Sequence, residues 1–122
     1  MHTMRSPSEA YRRVEFDARV SSAKPAELVL VCYEQLGGAL GSAIAAAARG
    51  DNGRKSQSLT RAVSALTALQ LGIDQRQSLA PALDQLYLAA RRTVLDSVLD
   101  FDPAALAAVQ RDMAEIAVAL RG

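Results

Sequence analysis

Between Leu28 and Ala48 the chain carries a single charged residue, Glu34, and its apolar side chains point in every direction a helix offers. Val29, Tyr33, Leu36, Leu40 and Ile44 share one face, while Leu28, Leu30 and Val31 point elsewhere. A helix that is apolar on every side has to be covered on every side. Two environments do that: a lipid bilayer, or the middle of a protein. The spacing Gly37-x-x-x-Gly41 is one that packed membrane helices use. Against a bilayer, Glu34 and Gln35 fall near mid-span, and the second half is mostly Ala and Gly, which contribute little transfer energy. A central carboxylate costs about 2.5–3.5 kcal/mol on insertion scales. The expectation is therefore a core helix and no membrane span.

The remaining sequence supplies the cover. At 122 residues there is room for one domain, here residues 9–122, after a loose polar lead-in over 1–8 that contains Ser6-Pro7-Ser8. Half the residues are apolar, with two Phe, three Tyr and no Trp, and that apolar half is rich in Ala and Leu, which favour helix. Turn signals divide the chain regularly. A short helix is expected over Glu9–Asp17, carrying Tyr11, Val14 and Phe16, and is broken by Ser21–Lys24. Pro25 then suits the first turn of a helix reaching about Arg49, where Gly50-Asp51-Asn52-Gly53 closes it. A third helix is expected from about Arg54 to Leu71, ended by Gly72. A fourth is capped by Ser78, with Pro81 in its first turn, and lasts to about Leu99. Asp102-Pro103 is a strong start for a fifth, running to Leu120. The pattern predicts an all-α fold: an antiparallel four-helix bundle preceded by a short N-terminal helix.

Two of the long helices each need one neighbouring surface. The last has the seam Leu106, Val109, Met113, Ile116 and Leu120, and the third has Leu59, Ala62, Val63, Leu66, Leu69 and Ile73. The other two carry a surplus. Beside the seam Leu83, Leu86, Tyr87, Ala90, Val94 and Val98, the fourth helix has a second stripe of Leu88, Leu95 and Leu99. The second helix has Leu28, Leu30 and Val31. Each such side chain releases about 1.5–3 kcal/mol when covered, so a stripe of them marks a place for a dimer mate, a partner chain or the N-terminal segment, unless it simply underlies a loop or the first helix. Gly37, Gly38 and Gly41 each cost about 1 kcal/mol in a helix interior, which points to close approach by a neighbour.

No chemistry competes with this reading. His2 is the one histidine, so a Glu-x-x-His di-iron site and a histidine phosphotransfer site have no ligand set. Cys32, the one cysteine, reads as a small buried hydrophobe. Asp96, Asp100, Asp102, Asp112 and Glu115 fall at polar positions or caps, and Arg49-Gly50-Asp51, a known adhesion tripeptide, falls in a turn. No phosphate-cradling loop is present. The expectation is no enzyme, no cofactor and no metal. A net charge of +1 with mixed signs excludes a nucleic-acid face, and predicts association that is only weakly salt-sensitive. Met1-His2-Thr3-Met4-Arg5 lacks an apolar signal core, so a cytoplasmic location is expected.

Two stretches, Ala10-Tyr11-Arg12-Arg13-Val14 and Ala23-Lys24-Pro25-Ala26-Glu27-Leu28-Val29-Leu30-Val31-Cys32-Tyr33-Glu34, resemble the opening of the flagellar secretion chaperones of the FliS family. Leu86-Tyr87, Leu95, Asp102 and Leu106 resemble that family's fourth helix and its link to the fifth, so the similarity spans about Ala10 to Leu120. Lys24 stands where the family usually has a capping Ser or Thr, Gln35-Leu36 where Gly-Ala is common, and Ala89 where a second aromatic is common. The last helix also lacks an aromatic near its end. The resemblance implies a chaperone whose partner is flagellin, bound through its disordered C-terminal segment, and an N-terminal segment able to cover part of an empty groove. Together with the surplus stripes, this gives as candidates for partner contact or cover Tyr11, Val14, Leu28, Leu30, Val31, Tyr33, Tyr87, Leu88, Leu95 and Leu99. The alternative is a dimerisation or adaptor module whose surplus face makes a homodimer.

Overall fold

The computed structural model describes residues 10–15 and 25–121. Among them are a helical stretch over residues 10–15 (α1) and four long helices, Pro25–Ala48 (α2), Asn52–Leu71 (α3), Ala80–Leu99 (α4) and Pro103–Arg121 (α5), with no strand. Phe16, the Ser21–Lys24 break, His2 and the lead-in over 1–8 lie outside the described residues.

The long helices pack around a square, α2 on α3, α3 on α4, α4 on α5 and α5 on α2, with α2–α3 the fullest contact and α4–α5 the sparsest. The all-α bundle expected from the sequence is present. α2 has the length and apolarity of a membrane crossing, with a mean hydropathy of 1.4 over its most apolar window. It is nonetheless the core helix of the bundle: Leu36, Ala39, Leu40 and Ala43 are fully enclosed. Its apolar surface is spent on α3 and α5.

The connections follow from local chemistry. At the end of α2, Asp51 N–H donates to the Ala46 carbonyl (2.9 Å) and Gly50 N–H to that of Ala47 (3.1 Å), closing a Schellman motif. That motif needs a left-handed residue, and Gly50 supplies it at φ 74°. The Asp51 side chain then accepts from Arg54 N–H (3.0 Å) as the N-cap of α3. Helix therefore resumes at Asn52, two residues before the expected start, and Arg49-Gly50-Asp51 is a helix-to-helix corner. Asp102 caps α5 as its sequence predicts, accepting from Ala105 N–H at 3.0 Å. Ser78 does not cap α4: the helix begins after Leu79, with no side-chain cap. In the loop before it, Asp74 accepts from the Arg76 backbone and pairs with its guanidinium, which lowers the Asp74 pKa.

Two seams differ from their expected membership. In α4 the buried positions are Ala80, Tyr87, Ala90, Val94 and Ser97, while Val98 is 56% exposed. Ser97 replaces it at the corner because its hydroxyl accepts from Asp102 N–H (3.3 Å). In α5 the seam ends on Ala117, and Leu120, in the last turn, is exposed.

Candidate binding surfaces on the bundle

The centre of the bundle is fixed by a contact across its diagonal. Tyr33 of α2 and Tyr87 of α4 share a buried hydroxyl–hydroxyl hydrogen bond. Their rings meet edge to face, centroids 6.1 Å apart at 63°. A buried phenol needs a partner, and here each supplies the other's. Burial raises the pKa of both hydroxyls, as it raises that of the neighbouring Cys32 thiol. Both tyrosines expected at a partner surface are thus core residues, as is Val31, which is 7% exposed.

What α4 leaves outside is apolar. Leu88, Leu95, Val98 and Leu99 are 40%, 45%, 56% and 94% exposed. Helical spacing sets them on one ridge beside the seam. Leu28 and Leu30 on α2 are half-buried, so the surplus there is smaller than the sequence suggests. Tyr11 and Val14 on α1 are both strongly exposed. The structure brings Leu88, Leu95 and Leu99 together, and adds Val98, which the sequence had assigned to the core. Leu71, Leu79 and Val118 are further exposed apolar residues that no periodicity singled out.

A second feature is a groove of about 490 Å³ on the outer side of α2, with α3 on one flank and α1 on the other. Its floor includes Gly38, Ser42 and Ala45, and Arg49, Arg54 and Arg61 line its basic side. The three glycines of α2 divide here. Gln110 of α5 donates to the Gly37 carbonyl (2.9 Å), and its amide nitrogen lies 3.0 Å from where a Gly41 Cβ would stand. The close approach expected at Gly37-x-x-x-Gly41 is therefore made at Gly41 alone, by this one side chain, and a Cβ built on Gly37 or on Gly38 meets nothing within 4 Å. Among the described residues no group of three or more His, Cys, Asp or Glu side chains is placed to hold a metal ion.

Comparison with known proteins gives one family: the sequence model described as flagellar protein FliS matches residues 7–121. No curated protein matches the chain.

Proposed function

Because the chain belongs to the FliS family of flagellar proteins, a family of export chaperones, we propose that it binds the disordered C-terminal segment of flagellin in the cytosol. It would hold its client one to one, without ATP, preventing premature polymerisation and delivering the subunit for export. The observation that carries this reading is the ridge of Leu88, Leu95, Val98 and Leu99 on α4. It is a row of large aliphatic side chains at helical spacing, suited to the apolar face of a client helix that folds as it binds. Leu28 and Leu30, half-buried on the diagonally placed α2, are assigned to a separate part of the proposed contact. Tyr33 and Tyr87 tie these two helices together through the core. Tyr11 and Val14, on a short helix that is itself exposed, are assigned to cover the empty surface or to meet the client.

Titration calorimetry with the C-terminal segment of the cognate flagellin, followed by circular dichroism of the mixture, tests this directly. Binding with a gain of helix is expected. Absence of both heat and helicity change across micromolar concentrations sinks the proposal.

A further inference from the structure

Arg91 carries a donor that the fold leaves unsatisfied. Its Nε is covered from solvent and meets no hydrogen-bond acceptor, and among the described residues the guanidinium has no ion pair. Arg76 and Arg111, by contrast, each stand beside a carboxylate, Asp74 and Asp112. A buried N–H without an acceptor is costly, and methionine offers a flexible apolar stem without that donor. Arg91 therefore gives the free bundle nothing that an apolar side chain would not give at lower cost.

Its place on α4 says what the donor can serve. Arg91 and Arg92 fill the turn between Leu88 and Leu95, the first two leucines of the exposed ridge. At 100° per residue Arg91 falls on the side toward the buried Tyr87 and Val94, and Arg92 on the opposite side. The ridge is thus flanked at this point by two guanidinium groups, one half-buried and one exposed. Asp96 follows Arg92 at the four-residue spacing that suits opposite charges on a helix, yet the two make no ion pair. Asp84, the other carboxylate on the ridge side of α4, stands about two turns before Arg91.

We propose that Arg91 and Arg92 read a carboxylate on the client segment that lies along the α4 ridge. The recognised residue is an aspartate or glutamate with apolar residues three or four positions before and after it, which meet Leu88 and Leu95. Because the two arginines sit three and four residues from each leucine, the same pattern fits a client helix running in either direction. Guanidinium groups take carboxylates in paired geometry, and leucines that exclude water strengthen the attraction. Lifting off the seam to meet the acid gives the Arg91 Nε–H the acceptor it lacks in the free chain. The inference rests on the chaperone reading and adds selectivity to it. Leucines accept apolar surface of many shapes, whereas the arginines require a charge in one place.

The test uses the full chain and a fluorescently labelled C-terminal segment of the cognate flagellin, read by anisotropy. A set of segment variants has each Asp or Glu changed singly to Asn or Gln. Arg91→Met is expected to weaken binding about tenfold with Tm unchanged or raised, and the exposed Arg92→Met to weaken it about threefold. One acid-to-amide change in the segment should weaken binding to the wild type about tenfold and cost little further against Arg91→Met. If the wild type does not bind, the chaperone reading fails and takes this inference with it. If the wild type binds and Arg91→Met binds equally well, the inference alone is overturned. A lower Tm for Arg91→Met would mean that the guanidinium serves the fold, which also overturns it. So would a segment in which no acid-to-amide change is coupled to Arg91.

Discussion

At the scale of single residues, the most consequential pair is Tyr33 and Tyr87. Each hydroxyl is buried and each satisfies the other, so removing one leaves an unpaired polar group in the core. Tyr33→Phe is expected to cost about 1–3 kcal/mol. The double change to Phe should cost less than the two single changes added together, because it leaves no orphan. Urea denaturation at unchanged slope checks both statements. The sequence marks both tyrosines as apolar-face residues of α2 and α4, and nothing in it says that they meet. They sit 54 positions apart, on helices diagonal to each other. Gln110 teaches the same lesson, since this polar residue of α5, outside the apolar seam, proves to donate to the Gly37 carbonyl and to lie against Gly41.

At the scale of elements, helix ends were legible wherever a short-range hydrogen bond decides them. Asp102 is followed by proline and caps α5, and Gly50 closes α2 through its backbone freedom. Asp102→Ala should cost about 1 kcal/mol, readable as a lower urea midpoint. The start of α4 was misread because Ser78 lies inside a run of turns between Gln77 and Ala80 that Asp74 and Arg76 help to organise. The α4 ridge is the element that matters most for function. Leu95→Glu is expected to leave thermal stability nearly intact while weakening binding of the flagellin segment. Loss of the fold instead would place Leu95 in the core, contrary to its 45% exposure.

At the scale of the whole molecule, a square of four helices divides α4 into a covered and an uncovered side, because α4 meets α5 only sparingly. Light scattering should give the same mass for the free chain and for Leu95→Glu, since the ridge is assigned to a client and not to a twin. A dimer that the substitution dissolves would make a second copy the ridge's occupant. Net charge is also less informative at this scale than it looked. The +1 of the whole sequence conceals Arg91 and Arg92, adjacent and without an ion pair beside the α4 ridge, so local charge, not the total, sets the expected salt dependence. The sequence by itself determined the helices, their order and the need to cover α2. These follow from periodicity, capping and hydrophobicity, all of which act within a few residues. Only the tertiary structure decided which surplus stays outside. Whether Val31 or Val98, Gly38 or Gly41, is covered depends on which side chain of a distant helix arrives beside it, and no local spacing encodes that.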